Sequence, residues 1–109
     1  MATDVVIAQT TTDDETAAEA LARGAVERRL AACAHIDAPV TAVYRWQGEI
    51  QREREWRISY KTTRERLPEL EAWVVAAHGY DVPQWIVLPV DAGSRAYLGW
   101  VGEETGREE

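Results

Sequence analysis

Cys33 and His35 are the two residues of this 109-residue chain whose types and spacing point most directly to chemistry. They lie two positions apart, so both side chains point to the same side if this segment is extended. A thiolate and an imidazole on one side of a strand suit a soft metal ion such as Cu(I) or Zn(II). The alternative is a small buried thiol next to an exposed loop histidine, and the pair on its own favours that alternative.

Other side chains could also contact a ligand. His78 precedes Gly79 at the predicted end of a helix, where the helix dipole favours an imidazolium, although a histidine there can also be a simple helix-end residue. Lys61 is the only lysine, and at the end of a predicted strand it could meet an anionic group or form a surface ion pair. Large aromatic residues mostly supply buried area in a core or an oligomer interface, but they could also form a pocket. The aromatic candidates are Tyr44, Trp46, Trp56, Tyr60, Tyr80, Tyr97 and Trp100.

The sequence lacks strong signatures of catalysis or nucleic-acid binding. There is no Gly-x-x-x-x-Gly-Lys, Gly-x-Gly-x-x-Gly, Cys-x-x-Cys or His-Glu-x-x-His motif. The 12 basic and 19 acidic residues give a net charge of −7, which argues against a general nucleic-acid or anionic-membrane binder. An acylphosphatase-type site would need an arginine near the end of the first strand and an asparagine, and residues 8–15 hold no arginine while the chain has no asparagine. We therefore expect a protein that is not an enzyme.

Periodicity and capping signals predict the elements that position these residues. Thr12 with Glu15, and Thr62 with Glu65, have the spacing of capping boxes at helix starts. The predicted elements are a strand at 4–8, a helix to about residue 32, strands at 40–46 and 50–61 around a turn at 47–49, a helix ending before Gly79, a strand at 84–88 and a short helix capped by Ser94.

This order, βαββαβ plus a C-terminal helix, predicts an α+β fold of the ferredoxin-like sandwich type. The outer half of the long hairpin is charged on both faces, so we expect an arm that extends past the core and serves assembly. Length predicts a single domain, which we place at residues 1–102. Residues 103–109 are locally acidic and predict a flexible tail.

The cysteine count and the N-terminal sequence bear on location. A single cysteine excludes an intrachain disulfide and is typical of a reducing compartment. The N-terminal residues lack the basic and apolar regions of a signal peptide, and the longest apolar run, 72–77, is too short to span a bilayer. We expect a cytoplasmic protein.

Several short motifs, taken together and in order, resemble the CutA divalent-cation tolerance family over roughly residues 4–101. The residues that carry the resemblance are Arg29-Leu30-Ala31-Ala32-Cys33, Tyr44-Arg45-Trp46-Gln47-Gly48-Glu49-Ile50, Lys61-Thr62, His78-Gly79-Tyr80-Asp81-Val82-Pro83 and Tyr97-Leu98-Gly99-Trp100. The resemblance implies a cytoplasmic homotrimer of ferredoxin-like subunits whose hairpin arms pair across subunits. It also implies inter-subunit clefts lined by Tyr44, Trp46, Lys61, Tyr80, Tyr97 and Trp100, together with His78.

The family resemblance further implies tolerance of divalent cations and, in some members, copper binding. The family's copper pattern uses a cysteine at the end of strand one and a pair of histidines, but this sequence has Thr10 and Ala77-His78 there. The candidate metal ligands are therefore His78 from the pattern, with Cys33 and His35 as an addition, for Cu²⁺ or another divalent cation that folding does not require. The trimer resembles the PII signalling proteins, so the alternative is a regulatory trimer that binds a small anionic ligand at Lys61 and the cleft aromatics.

Overall fold

The computed structural model describes residues 3–106. This part of the chain contains five strands and three helices. In chain order they are β1 (Val5–Thr12), α1 (Glu15–Glu27), β2 (Cys33–Ile36), β3 (Val40–Trp46), β4 (Glu49–Thr63), α2 (Leu67–Ala77), β5 (Ile86–Pro89) and α3 (Arg95–Glu104). The predicted order is confirmed. One difference is that residues 33–36 form a strand of their own, separated from β3 by residues 37–39, where Pro39 removes a backbone donor.

The strands form one antiparallel sheet in the order β2-β4-β1-β5, with β3 pairing to β4 off this path. β4 is long enough to pair with two different strands along its length. Its second half, from Trp56 to Thr63, pairs with β1, and its first half, from Glu49 to Glu55, pairs with β3. The first half of β4 and β3 therefore form a two-stranded ribbon, which we call the arm. The ferredoxin-like sandwich predicted from the sequence is confirmed.

Two separate clusters of buried side chains hold the sheet between the helices. The larger one packs α1 and α2 against Ala8, Ile58 and Tyr60 of the central strands, all three of them fully buried. The smaller one packs Val101 of α3 against Val5. Because Val5 and Ala8 are an odd number of positions apart in β1, these two clusters lie on opposite faces of the sheet.

Both helix starts predicted from capping boxes are wrong. Thr12 is still in β1, and α1 is capped instead by Asp14, whose carboxylate accepts from the backbone amide of Ala17 at 2.9 Å. Thr62 is in β4, where its hydroxyl donates to the carbonyl of Leu30 at 2.7 Å, and the N-cap of α2 is Arg66. In each case sheet pairing includes the threonine, since a full ladder of backbone hydrogen bonds outweighs one cap.

The first helix also ends earlier than the predicted residue 32. α1 stops at Glu27, and Arg29 then adopts a positive φ of 58° that turns the chain. The buried guanidinium of Arg66 donates to the carbonyls of Arg28 and Arg29 and forms an ion pair with Glu69. Arg66 thereby donates hydrogen bonds to carbonyls that have no partner within the helix because the helix ends there.

The C-terminal helix is capped as predicted, because Ser94 accepts from the amide of Tyr97 at 3.1 Å. α3 continues to Glu104, and Thr105 is buried against the carbonyl of Val101, so the helix extends into the segment predicted as a tail. Residues 107–109 lie outside the described residues, and the flexibility of this segment stays a prediction. Within residues 3–106, no helix is long and apolar enough to cross a membrane.

Candidate functional site

Pairing with β4 places Cys33 and His35 on the face of the sheet opposite α1 and α2. Cys33 lies opposite Lys61 and His35 opposite Ser59, so all four side chains share one face. Tyr60, between Ser59 and Lys61, points to the other face and is fully buried there. The sequence-based expectation that Cys33 and His35 point the same way is therefore met by their positions in β2.

Short polar contacts surround this pair. The ammonium of Lys61 donates to Nδ1 of His35 at 3.0 Å, and Sγ of Cys33 lies 3.4 Å from the hydroxyl of Tyr97. Trp100 packs beside Tyr97 with a ring separation of 5.7 Å. The hydrogen bond to Cys33 is the largest of the causes that raise the pKa of Tyr97 to about 12, and burial and the charge of Cys33 act in the same direction. We call Cys33, His35, Lys61, Tyr97 and Trp100 the α3-side cluster.

His78 has a different role in the structure. It caps the C-terminus of α2, and its ring joins two pieces of backbone. Nε2 donates to the carbonyl of Thr11 at 2.7 Å, and Nδ1 accepts from the amide of Tyr80 at 3.1 Å. Because an amide can only donate and a carbonyl can only accept, the ring is the neutral Nε2–H tautomer with both nitrogens engaged. A metal ion at His78 would have to displace one of these two bonds.

The family's copper pattern therefore does not fit this chain. Thr10 is fully buried, and Ala77 offers no side-chain ligand. Among residues 3–106, no group of three or more histidine, cysteine, aspartate or glutamate side chains is arranged to hold a metal ion. Within the described residues, the predicted metal ligands therefore do not make up a three-ligand site.

His78 and the Cys33–His35 pair lie too far apart to share one ion within this chain. Thr11, which His78 contacts, pairs with Arg57, whereas Cys33 pairs with Lys61. Along β4, Arg57 is four residues from Lys61 and two from Ser59, the partner of His35, which corresponds to about 13 Å and about 7 Å. In addition, β2 and β1 flank β4 on opposite sides, which separates them by about 10 Å more across the sheet. The predicted metal ligands therefore fall into two places, with Cys33 and His35 together and His78 apart.

The six predicted cleft residues also divide into two sets. Tyr44, Trp46 and Tyr80 line a cleft of about 720 Å³ between the arm and the loop 80–84, and Lys61, Tyr97 and Trp100 do not line it. The complete lining is Thr11, Asp13, Ala42, Val43, Tyr44, Trp46, Gln51, Glu53, Glu55, Tyr80, Asp81, Val82, Pro83 and Gln84. Within this chain the two sets therefore do not share one cleft.

Sequence reasoning missed the four carboxylates of this cleft, which are Asp13, Glu53, Glu55 and Asp81. A signal for two of them was available in the turn at Gln47 and Gly48, where positive φ values of 51° and 82° define a tight two-residue hairpin. Counting back from that turn pairs Ala42 with Glu53 and Val40 with Glu55, on the same face as Tyr44. The register of the hairpin thus predicts an acidic and aromatic face that composition alone does not reveal.

The carboxylates of the cleft raise the pKa values of its two tyrosines, Tyr44 and Tyr80. Burial, then the hydrogen bond to Glu55 and the nearby negative charges, raise the pKa of Tyr80 well above its usual value, and its hydroxyl donates to Oε2 of Glu55 at 3.0 Å. Desolvation, followed by the hydrogen bond and charge of Glu53, also raises the pKa of Tyr44. Glu55 and Asp13 raise both values, so the cleft carries a negative potential.

Comparison with known proteins identifies the family. The family model described as "CutA1 divalent ion tolerance protein" matches residues 6–104. This chain belongs to the CutA family. It is 43% identical to the "Divalent-cation tolerance protein CutA" of Thermus thermophilus over 88% of this chain and 93% of that protein. It is 38% identical to the "Protein CutA" of Homo sapiens over 87% of this chain, which spans only 53% of that longer protein.

The structural comparison agrees with the family assignment. A structure of CutA from Synechococcus elongatus superposes with a TM-score of 0.91 at 40% identity, and the match covers 97% of this chain and 95% of that chain. A CutA structure from the bacterium Xylella fastidiosa superposes with a TM-score of 0.93 at 32% identity. The family resemblance and the fold expected from the sequence are both confirmed.

Proposed function

We propose that this CutA protein is a homotrimer that takes part in divalent-cation tolerance without catalysing a reaction, and that it binds a soft metal ion such as copper through Cys33 and His35. The observation that carries the metal part is the placement of these two side chains on one face of β2. A sulfur and a nitrogen ligand suit copper or zinc. A second subunit supplies the remaining ligands, because one chain offers no group of three among its described residues.

His35 and Cys33 are open to a ligand in a way that His78 is not. His35 is exposed, and its Nε2 has no hydrogen-bond partner among residues 3–106. Cys33 is free and half-buried, with only the Tyr97 hydroxyl as a polar partner in that part of the chain. Metal binding at this pair breaks no bond to the backbone, whereas binding at His78 would.

Exposed apolar side chains support the homotrimer. Val43 is 65% and Ile50 61% exposed on the arm, and Ile86 and Leu88 are more than 40% exposed on β5 at the edge of the sheet. An isolated two-stranded ribbon has little stability of its own, and an open strand edge with apolar side chains favours pairing with another chain. Contact between arms and edges of neighbouring subunits would cover these residues.

Calorimetric titration of the full chain with Cu(II), Cu(I) and Zn(II) tests the metal site. We expect saturable binding of at least one ion, and we expect Cys33→Ser and His35→Ala each to weaken it at least about tenfold, since each removes a ligand. His78→Ala is the matched histidine control and should leave the affinity unchanged. An absence of saturable binding, or a loss confined to His78→Ala, would contradict the proposal.

The same proposal includes the cytoplasm as the location, because the single cysteine is free and would be kept reduced there. An anionic ligand at Lys61, the alternative expected from the sequence, is less well supported. Lys61 donates to His35 and lies away from the aromatic cleft. It would need the trimer to place it beside the cleft of a neighbouring subunit.

A further inference from the structure

The two faces of the arm carry opposite charges. Side chains alternate between the faces along each strand, and the register places Val43 opposite Arg52 and Arg45 opposite Ile50. One face, which we call the basic face, therefore carries Val43, Arg45, Ile50, Arg52 and Arg54. The other, which we call the acidic face, carries Glu49, Glu53 and Glu55 together with Tyr44 and Trp46. The basic face thus holds three of the 12 basic residues of a chain whose net charge is −7.

The charges of the two faces are not neutralised within the chain. Arg45, Arg52 and Arg54 are exposed, and among residues 3–106 none of them forms an ion pair. The glutamates of the acidic face have no ion-pair partner in that part of the chain either. The two faces do not neutralise each other, because their side chains point away from each other on opposite sides of a two-stranded ribbon. A group outside the described residues would have to supply the counter-charge of each face.

The symmetry of an assembly decides which faces meet. A two-fold contact joins a patch to the same patch of its partner, so it would place arginines against arginines. A closed ring of three chains instead joins two different patches at every contact. Like charges brought together at an interface oppose association, whereas opposite charges favour it and fix the orientation. An arm with one basic and one acidic face is therefore suited to a ring and unsuited to a two-fold pair.

We propose that the basic face of each arm docks on the acidic face of the next subunit's arm, so that charge sets the head-to-tail order of the subunits. This inference rests on the homotrimer proposed above and names the surfaces that form it. Val43 and Ile50 are 65% and 61% exposed and lie among the arginines, so they supply apolar contact within the basic face. Arg45 and Arg52 supply the charges that meet the neighbour's glutamates. The partner of the basic face is a second copy of this chain, since the net charge of −7 disfavours a polyanion such as DNA.

Reversal of the charge on either face tests this pairing. One variant carries Arg45→Glu with Arg52→Glu, and another carries Glu49→Arg with Glu53→Arg. Each variant gives the two faces the same sign of charge. We therefore expect each to raise the concentration at which half of the trimer dissociates by at least about tenfold, measured by light scattering over a dilution series of the full chain. The two variants change the net charge in opposite directions, so repulsion between whole subunits would weaken only the first.

A chain with all four substitutions provides the sharpest comparison. Its two faces have exchanged charge, so the faces that meet in the ring are again opposite and the parent's trimer should be recovered. Recovery also shows that each pair of substitutions is compatible with folding. The matched control is Arg23→Glu with Arg64→Glu, because these two arginines are exposed, lie on α1 and just before α2, and belong to neither face of the arm. The control should leave the mass unchanged.

Several results would overturn the pairing of the two faces. They are trimers that persist undiminished in both single-face variants, failure of the fourfold variant to recover the trimer, and equal dissociation of the control. Binding of duplex DNA that Arg45→Glu with Arg52→Glu abolishes without loss of the trimer would assign the basic face to an anionic partner instead. A parent protein that is not a trimer would contradict the homotrimer itself, whereas a trimeric parent with trimeric variants would overturn only this inference.

Discussion

At the scale of single residues, the protein shows that a histidine at a family ligand position can be structural. The ring of His78 joins the end of β1 to the start of the loop 80–84, through Thr11 and Tyr80. Its position at a helix end was predictable from the sequence. Its tautomer was not, because the two partners come from segments 67 residues before it and two residues after it, and only the folded sheet brings them to both sides of one ring.

His78→Ala should therefore lower the free energy of unfolding by about 2 kcal/mol, because two hydrogen bonds are lost and the Thr11 carbonyl is left without its partner. Urea-induced unfolding followed by circular dichroism measures this change. A fall in stability with unchanged metal affinity is the expected combination. Unchanged stability would mean that the two bonds of His78 do not hold the loop to the sheet.

Ionisation of Tyr97 makes the free energy of unfolding depend on pH in the alkaline range. Its pKa of about 12 lies above the ordinary value of 10.0, so the folded state holds the phenolic proton more tightly than the unfolded state does. The resulting stabilisation is complete below pH 10 and is lost as the pH rises towards and through 12. Tyr97→Phe should show a smaller loss of stability than the parent protein over this interval, measured as the urea midpoint against pH.

Removal of the partner provides the control for Tyr97. Cys33→Ala eliminates the hydrogen bond that contributes most to the raised pKa. Its phenolate absorbance should therefore develop at lower pH than in the parent protein. Parallel stability curves for the parent and Tyr97→Phe would be inconsistent with this account.

At the scale of elements, short sequence signals correctly predicted the turns and helix caps whose geometry depends on neighbouring residues alone. The hairpin turn predicted at 47–49 and the cap at Ser94 depend on neighbouring residues only. The cap is confirmed, and the turn is confirmed at Gln47 and Gly48, with Glu49 already in β4. The capping boxes at Thr12 and Thr62 failed because β1 and β4 pair with each other over eight residues and keep both threonines in strands. Residues that lie between 44 (Thr12 and Trp56) and 58 (Val5 and Thr63) positions apart determine this pairing, and no local window contains that information.

The contact between α1 and α2 depends on Gly24. A Cβ added at Gly24 would lie 2.6 Å from two ring carbons of Trp73, whose ring also stacks against the guanidinium of Arg28. Gly24→Ala should therefore lower the free energy of unfolding by about 1–3 kcal/mol, as over-packing does, despite the better helix propensity of alanine.

Gly102→Ala is the matched control, because Gly102 lies in α3 and, apart from its chain neighbours and the nearby backbone of its own helix, no atom of the described residues lies within 4 Å of its added Cβ. That change should raise the free energy of unfolding by about 0.5–1 kcal/mol through helix propensity alone. Thermal or urea unfolding of both variants checks the pair. Equal effects of the same sign would show that Trp73 moves aside freely.

At the scale of the whole molecule, the exposed arm is the surface that we expect to be buried in the proposed trimer. The chain measures 45 × 29 × 23 Å, and its long dimension accommodates a ribbon that carries Val43 and Ile50 in the open. Val43→Glu should shift the mass in light scattering from about 37 kDa, three times 12.3 kDa, towards that of one chain, because a carboxylate would be buried between subunits. Val75→Glu, the same change at an exposed valine of α2, should leave the mass unchanged.

Assembly also decides whether the two separated groups of candidate residues can act together. Within one chain, the α3-side cluster and the acidic cleft lie at different ends of the sheet, and the described residues provide no complete set of metal ligands. In the proposed CutA trimer, Cys33 and His35 hold the metal ion together with ligands from a second subunit.

A crystal structure of the protein grown with copper, with the ion located by its anomalous scattering, tests this placement of the metal ion. We expect a trimer with anomalous peaks within bonding distance of Sγ of Cys33 and Nε2 of His35, and with His78 still bonded to Thr11 and Tyr80. A peak at His78 with those two bonds broken, or a trimer without copper at Cys33, would contradict the account.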